Sequence, residues 1–265
     1  MIKLNGTPVE IGSFPDGTML IKQAVPQENK ITISWFYESD RETLAIVYLA
    51  NHLRSHGCDN IHLYMPYIPN ARQDRVKTEE DVFTLKYFAG IINSLNFRTV
   101  TVLDPHSTVS EALIERIVIE KPVKLIENAI AAITEEEGEA PSMFYPDEGA
   151  GKRYSGMIAL PYAFGIKKRD WKTGKILGLD VAGDVDNIAG KNILIVDDIC
   201  SKGGTFYFSA QKLKELGAKN IYLHISHCEN SILDGEVLKS GLVKKVFTTD
   251  SILTKEHPMI QAVNL

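Results

Sequence analysis

Two adjacent carboxylates and a glycine-rich turn mark the segment of this sequence that carries the most chemistry. Residues 193–196 are four apolar residues typical of a buried strand, Asp197 and Asp198 follow, and a Gly-Gly-Thr turn at 203–205 opens the next helical run. Free N–H groups at such a turn suit a phosphate, and neighbouring carboxylates suit sugar hydroxyls. The segment therefore predicts a sugar-phosphate site where open α/β sheets bind ligands. The alternative is a plain strand-to-helix connection, which the repulsion between the two carboxylates disfavours.

The segments that must position these groups alternate between strands and helices. Ile46, Leu49, Ala50 and Leu53 recur at the spacing of one helix face. Strands separated by helices indicate βαβ units and a mostly parallel sheet. Strands are predicted at 31–35, 61–65, 99–103, 143–145, 157–160, 193–196 and 221–225, and helices at 42–56, 81–95 and 205–216.

Length and composition indicate two folded domains. The chain has 265 residues, more than the roughly 150 of one typical domain. Apolar types make up 44% and charged types 24% of it, which excludes a disordered or disulfide-stapled chain. The break at Pro122 and the second set of strands predict two α/β domains, 1–122 and 123–265.

Net charge and hydropathy indicate which kinds of binding partner the sequence disfavours. A formal net charge of −5 gives no general attraction to nucleic acid, so any phosphate site must be local. The first residues lack the apolar core of a signal peptide, and no run reaches the roughly 18 apolar residues of a membrane span. We expect a cytoplasmic protein without a nucleic-acid or membrane partner. Cys58, Cys200 and Cys228 are widely spaced, and we expect no structural disulfide.

Several segments carry a resemblance to one family. Residues 197–205 resemble the loop that binds phosphoribosyl pyrophosphate (PRPP) in type I phosphoribosyltransferases and in ribose-phosphate diphosphokinases, the PRPP synthetases. Residues 65–75, ending in Arg-Gln-Asp-Arg, are similar to the ATP-binding stretch of the diphosphokinases, which the transferases do not have. Further matches, in family order, are Phe-Pro-Asp-Gly at 14–17, Leu-Asp-Pro-His-Ser at 103–107, Pro-Asp-Glu-Gly-Ala-Gly-Lys-Arg at 146–153 and Lys-Lys-Arg at 167–169. On these motifs the chain is identified as a member of the ribose-phosphate diphosphokinase family.

The resemblance implies a fold and a reaction. It implies two type I phosphoribosyltransferase-like domains, each with a mostly parallel sheet flanked by helices, in a homo-oligomer of two or more copies. It implies Mg²⁺-dependent transfer of the diphosphate of ATP to the C1 hydroxyl of a ribose 5-phosphate group, giving AMP and PRPP or a PRPP-like product.

The same resemblance assigns residues to roles. Lys167 and Arg169 would close over the transition state, and His106 and Asp147 would hold Mg²⁺ directly or through water and take part in catalysis. The residues assigned to ATP are Phe14, Asp16, Arg72, Gln73, Asp74, Arg75 and His106. Those assigned to the sugar phosphate are Asp147, Asp197, Asp198, Ser201, Lys202, Gly203, Gly204 and Thr205.

Each assignment has a structural alternative. Residues 72–75 are also compatible with a surface ion-pair cluster, 167–175 with a long, solvated basic loop, His106 with a turn histidine and Phe14 with the core. His52 and His56 lie four apart on a helix, as metal ligands can, but no third ligand is near, and a role at the helix C-terminus is favoured. His224, His227 and Cys228 are interpreted as structural.

Two departures from the family pattern bear on the substrate. Ser201 and Lys202 stand where the family usually has Asp and Thr, which makes the loop more cationic by about two charge units. A Lys suits an additional phosphoryl group, so ADP-ribose is the alternative acceptor, with ADP-ribose 1-diphosphate for NAD synthesis as the product. The acidic stretch 76–81 replaces a basic one linked to allosteric control, so we do not expect control of the usual kind.

Two other classes of protein are alternatives. One is a catalytically inactive paralogue that regulates a true synthetase. Retention of His106, Asp147, Lys167 and Arg169 argues against it, because a scaffold needs neither a metal site nor mobile cations. The other is a phosphoribosyltransferase, which residues 72–75 and the presence of two domains disfavour.

Overall fold

β-Branched and amphipathic runs alternate along the chain, and strands and helices follow them. The computed structural model describes residues 1–169 and 176–265, without the side chains of 167–169 and 176–177. The chain divides into two compact units, Met1–Lys121 and Pro122–Leu265.

The first unit is built on a six-stranded sheet. Its order is β2-β1-β5-β6-β7-β8, in which β5 to β8 are parallel and β1 and β2 are antiparallel. A separate hairpin is formed by β3 and β4. The strands are β1 (Ile2–Leu4), β2 (Thr7–Pro8), β3 (Ile11–Ser13), β4 (Met19–Ile21), β5 (Ile31–Trp35), β6 (Ile61–Tyr64), β7 (Val100–Leu103) and β8 (Ile117–Glu120), and the helices are α1 (Arg41–Ser55), α2 (Thr84–Ser94) and α3 (Thr108–Leu113).

The second unit is built on a seven-stranded sheet. Its order is β11-β10-β9-β12-β13-β14-β15, and only the β10–β11 pair is antiparallel. The strands are β9 (Ser142–Tyr145), β10 (Tyr162–Arg169), β11 (Ile176–Gly183), β12 (Ile193–Cys200), β13 (Ile221–Cys228), β14 (Lys245–Thr249) and β15 (Ile260–Val263), and the helices are α4 (Val123–Glu137), α5 (Glu148–Tyr154), α6 (Gly204–Glu215) and α7 (Glu236–Lys239).

Burial follows the sheet geometry. In β5 the side chains of Ile31, Ile33 and Trp35 are buried while the residues between them are partly exposed, so one face of this strand packs into the core. All eight residues of β13 are buried, as expected for a parallel strand covered on both faces. Phe206 of α6 packs in the cluster on one face, and Ile126 of α4 packs in that on the other.

Most predicted elements are confirmed, with three corrections. Residues 157–160 are not a strand, because residues 162–164 of β10 take the place beside β9. Strand β12 continues past residue 196, because Asp197 to Cys200 keep pairing with β13. Residues 167–169 pair with β11 instead of starting a loop.

Three further observations concern the predictions on cysteines, membranes and metals. Cys200 and Cys228 are buried free thiols, and Cys58 is a partly buried one. Within 1–169 and 176–265, no helix combines the length and apolar character that crossing a bilayer requires. In the same part of the chain, no three His, Cys, Asp or Glu side chains form a ready-made metal site.

Candidate active site

Three carboxylates meet at one edge of the second sheet. Strands β9 and β12 are parallel neighbours, so their carboxyl ends lie together. Asp147 follows β9 by two residues, and Asp197 and Asp198 lie in the last half of β12. The two segments that the sequence analysis singled out separately are therefore brought together by strand pairing.

The environment of Asp197 opposes its ionisation. Burial is the main cause that raises the pKa of its carboxyl well above the usual value, and the negative charges of Asp198 and Asp147 raise it further. The backbone N–H of Asp198 donates to Asp197 Oδ1 at 3.0 Å. A cation or hydroxyl donors placed here would relieve the repulsion among the three carboxylates.

Helix α5 supports the neighbouring aspartates from both of its ends. Asp147 is its N-cap, where Oδ1 accepts the backbone N–H of Ala150 at 3.0 Å. Near the other end, Arg153 Nη1 lies 3.0 Å from Asp198 Oδ2, and the Asp198 side chain is only 5% exposed. Arg153 has no role of its own among the motif-based assignments. Its position at the end of the Pro-Asp motif is the signal that could have suggested one.

The loop after β12 has the geometry that a phosphate site needs. Gly203 has a φ of +76° and is the N-cap of α6. A Cβ at this position would also collide with Val237, so glycine is required for two reasons. The next residues, Gly204 and Thr205, begin a 12-residue helix whose first N–H groups have no partner within the helix. Lys202 is exposed beside the turn.

In the first unit, strand pairing brings together two other predicted segments. Strands β6 and β7 are parallel neighbours, and the loops after them carry Asp74 and His106. Arg75 Nε donates to Asp74 Oδ1 at 2.7 Å, and its Nη2 donates to Oδ2 at 2.9 Å. These bonds are the main reason that the pKa of Asp74 lies below its usual value, and Ser107 and His106 act in the same direction. Asp74 is buried and so anchors an exposed guanidinium.

Backbone strain marks the same edge of the first sheet. Asp104, which directly follows β7 and precedes His106 by two residues, is buried and has a φ of +41°. Non-glycine residues rarely adopt such a φ, and those that do cluster at functional sites. The motifs alone do not single out Asp104, because the strain depends on the turn that the residue makes.

Arg72 and Gln73 are the other two residues of 72–75 that are assigned to ATP. Arg72 is exposed. The Gln73 side-chain oxygen accepts a hydrogen bond from the Thr84 hydroxyl at 3.0 Å, which joins the loop to the first residue of α2. The loop is thus held by Asp74 and Gln73 and presents its two arginines to solvent.

Phe14 and Asp16 lie in the turn between β3 and β4. The Phe14 side chain is 50% exposed, which excludes the structural alternative of a core position. Asp16 Oδ1 accepts hydrogen bonds from the Thr18 N–H at 2.9 Å and the Thr18 hydroxyl at 2.7 Å. An exposed aromatic ring on a short, fixed hairpin is available for stacking on a planar ligand.

The two proposed transition-state cations are only partly described. Lys167 and Arg169 belong to β10 by their backbone, and their side chains, together with residues 170–175, lie outside the described residues. Nearer the start of β10, Gly165 lies against the carbonyl of Pro146, because a Cβ here would approach that oxygen to 2.7 Å. This contact joins β10 to the segment that carries Asp147.

The helical histidines have ordinary structural partners. His52 Nε2 lies 3.0 Å from the carbonyl oxygen of Gln23, and His56 Nδ1 lies 2.9 Å from that of His52. At least one ring nitrogen of each therefore has a hydrogen-bonding partner at the end of α1, as the structural interpretation expected. His224 and His227 are buried in β13.

Two known proteins that are similar to this chain in sequence are ribose-phosphate pyrophosphokinases. The chain is 30% identical over 253 residues to the ribose-phosphate pyrophosphokinase of Pyrococcus abyssi, covering 93% of this chain and 85% of that protein. It is 27% identical over 262 residues to that of Saccharolobus solfataricus, covering 95% and 87%. No protein-family model matches the chain.

The fold has a counterpart among solved structures. The crystal structure of phosphoribosylpyrophosphate synthetase from Mycobacterium smegmatis matches with a TM-score of 0.77 at 19% identity, covering 97% of this chain and 86% of that one. This match confirms the predicted fold class, two phosphoribosyltransferase-like α/β domains. With its sequence relatives and its fold taken together, the chain belongs to the ribose-phosphate pyrophosphokinase family, a family of diphosphotransferases.

Proposed function

We propose that this protein transfers the diphosphate of ATP to the C1 hydroxyl of a ribose 5-phosphate-type acceptor, with Mg²⁺, and releases AMP. The observation that carries the proposal is the meeting of Asp147, Asp197 and Asp198 beside the loop 201–205. Carboxylates accept hydrogen bonds from ribose hydroxyls, and helix N-terminal N–H groups bind a 5′-phosphate. Both halves of a sugar phosphate are therefore accommodated at one sheet edge.

Arginines of the first unit suit the donor nucleotide. Arg72 and Arg75 are exposed in the loop after β6, and Arg75 is held by the buried Asp74. A fixed guanidinium binds phosphate oxygens in two-point fashion, whereas the charge of a free surface side chain is screened. Phe14, exposed on its hairpin, would stack on the adenine.

The donor atoms fit Mg²⁺. This ion prefers oxygen ligands, keeps several waters and is commonly bound by one or two carboxylates together with substrate phosphates. In the second unit, Asp147 beside Asp197 and Asp198 supplies such oxygens. In the first unit, His106, whose nitrogen is a poorer ligand for Mg²⁺, would contact such an ion through water. When bound, Mg²⁺ would offset the negative charge of the phosphates.

Positive side chains are needed where charge develops during transfer. The C1 oxygen forms a bond to the β-phosphorus and gives up its hydroxyl proton to solvent. The bond between the β-phosphorus and the oxygen it shares with the α-phosphate breaks, and AMP leaves with the negative charge. Lys167 and Arg169 are proposed to stabilise that charge, and Asp197 and Asp198 to orient the attacking sugar. The orienting role needs no change of protonation during the reaction.

The direct test is product analysis. The protein is incubated with ATP, MgCl₂ and ribose 5-phosphate, and nucleotides are separated by ion-exchange chromatography. We expect AMP in stoichiometric amount with PRPP. Formation of ADP with ribose 1,5-bisphosphate would refute diphosphate transfer, and no turnover with any acceptor would favour the inactive regulatory paralogue.

The homo-oligomer remains a prediction, which sedimentation velocity tests. The cytoplasmic location also remains a prediction, which cell fractionation tests.

A second acceptor, ADP-ribose, is supported by one observation. Lys202 is exposed beside the turn of the phosphate loop, where an ammonium can reach an additional phosphoryl group. The variant Ser201→Asp with Lys202→Thr should then lower kcat/KM for ADP-ribose by about ten- to a hundredfold relative to ribose 5-phosphate. An unchanged ratio of the two acceptors, or a wild type that already prefers ribose 5-phosphate, would rule out this candidate.

A further inference from the structure

The anion-binding loop, residues 201–205, is held by another part of the second unit. Residues 229–237, here called the supporting segment, connect β13 to α7 and include the first two residues of α7. They contact three successive loop residues. Ser201 Oγ donates to Glu229 Oε1 at 3.0 Å. The carbonyl of Lys202 lies so close to Gly235 that a Cβ there would overlap it, and Gly203 likewise leaves no room for a Cβ beside Val237.

Glu229 makes the hydrogen bonds that join the supporting segment to the loop. Its Oε1 accepts from Ser201, and its Oε2 accepts from the Ser231 hydroxyl at 2.9 Å. Its backbone N–H donates to the carbonyl of Cys200 at 2.8 Å, which extends the pairing of β12 with β13 up to the loop. Both carboxylate oxygens are therefore held, and the side chain is partly buried.

The charge of Glu229 works against the ligand of the loop. A carboxylate next to an anion-binding turn repels a phosphate group, more strongly when it is partly buried than in bulk water. A neutral side chain would avoid this cost, so the benefit of Glu229 must lie in the conformation of the loop. Its bond to Ser201 provides that benefit, because it fixes the first loop residue just before the N–H groups of Gly204 and Thr205.

We propose that Glu229 is a positioning residue for the anion-binding loop, acting through the hydroxyl of Ser201. The inference rests on the proposed function, because it takes the loop to bind the phosphate of the acceptor. Glu229 lies outside every motif of the sequence analysis.

The kinetic test compares Ser201→Ala, Glu229→Ala and the double variant. Each single variant should raise KM for ribose 5-phosphate about tenfold, the effect of one hydrogen bond to a charged group. The KM for ATP should stay unchanged and kcat should stay within about threefold. The double variant should be no worse than the single ones, because both remove the same bond. Multiplied effects in the double variant would overturn the inference.

Conservative and control variants separate the hydrogen bond from general damage. Glu229→Gln keeps an oxygen that accepts from Ser201, gains a nitrogen that donates to Ser231 and removes the negative charge, so KM should be no higher than the wild-type value. Glu236→Gln, at an exposed position of the same segment, should have no effect. If Glu229→Gln were as impaired as Glu229→Ala, the positioning role would be wrong.

The amide hydrogen-exchange rate of the loop tests, without any substrate, whether Glu229 holds the loop in place. In Glu229→Ala the peptide covering 200–206 should exchange roughly tenfold faster, while the rest of the second unit keeps its wild-type rates. A uniform increase across the unit, or none in the loop, would overturn the inference. If the wild type forms no AMP from any sugar phosphate, the proposed function fails, and the exchange result still decides whether Glu229 holds the loop.

Discussion

Glu137, at the end of helix α4, offers the sharpest test of the energetics of the second unit. Its carboxylate accepts hydrogen bonds from Tyr222 Oη at 2.7 Å and Asn220 Nδ2 at 2.9 Å, and it forms ion pairs with Lys219 and Lys244. The side chain is only 7% exposed. These contacts fasten the end of α4 to β13 and to the start of β14. We predict that Glu137→Gln destabilises the protein by about 2 kcal/mol at neutral pH.

The magnitude comes from the pKa of this carboxyl. Hydrogen bonds from Lys244, Tyr222 and Lys219, in that order, lower the pKa of Glu137 from 4.5 to about 2. Such a shift corresponds to roughly 3 kcal/mol. Both lysines are more than a third exposed, so solvent screening reduces the expected value to about 2 kcal/mol.

The sign of the pH dependence follows from the lowered pKa. The contribution of Glu137 is fully present above its unfolded pKa of 4.5 and is lost as the pH falls through its folded pKa of about 2. Urea denaturation of the wild type and of Glu137→Gln at pH 6, 4 and 3 measures this contribution to the free energy of unfolding. We expect the difference in unfolding free energy to fall by more than half between pH 6 and pH 3.

Glu136 provides the matched control. It forms an ion pair with the same Lys244 at 2.7 Å, but its side chain is 42% exposed. Glu136→Gln should cost at most about 0.5 kcal/mol. A pH-independent difference for Glu137→Gln, or equal effects of the two variants, would refute the reasoning that burial and multiple partners make this carboxylate important.

Three further predictions concern the site. Gly165→Ala should lower the stability by about 1–3 kcal/mol, because its Cβ would meet a carbonyl oxygen at 2.7 Å; a wild-type melting temperature would contradict the tight packing. Arg153→Gln leaves Asp198 without its cation and should cost about 2 kcal/mol in urea denaturation, with partial recovery in Arg153→Lys; equal losses in the two variants would argue against the ion pair. Lys167→Ala and Arg169→Ala should each lower kcat about a hundredfold or more with little change in ATP binding, and an effect confined to KM would show ground-state binding only.

Local patterns in the sequence were enough to predict most of the helices and strands. Helix α1 was predicted from the spacing of Ile46, Leu49, Ala50 and Leu53, all of which are buried. A helix that packs one face on a sheet needs apolar side chains at that spacing, so its pattern is visible without the fold. Strand β12 was found from its apolar run, but its end was placed too early, because pairing with β13 carries polar residues into the strand.

For the candidate site residues too, local sequence patterns predicted some features and not others. Motif order placed Asp147, Asp197 and Asp198 in the right segments, since these residues follow or end apolar runs of the sequence itself. The sequence did not show that Arg153 pairs with Asp198 or that Glu229 holds Ser201. Neither pair has a local spacing that distinguishes it from an ordinary surface charge.

The α/β class, the family and the segments of the site can be predicted from the amino-acid sequence alone, because each depends on the order of residues along a strand, a helix or a loop. The folded chain is needed to know which of these segments meet and which side chains hold them. Such contacts depend on strand register and helix packing between residues far apart in the chain. They leave no periodic trace that a single sequence displays.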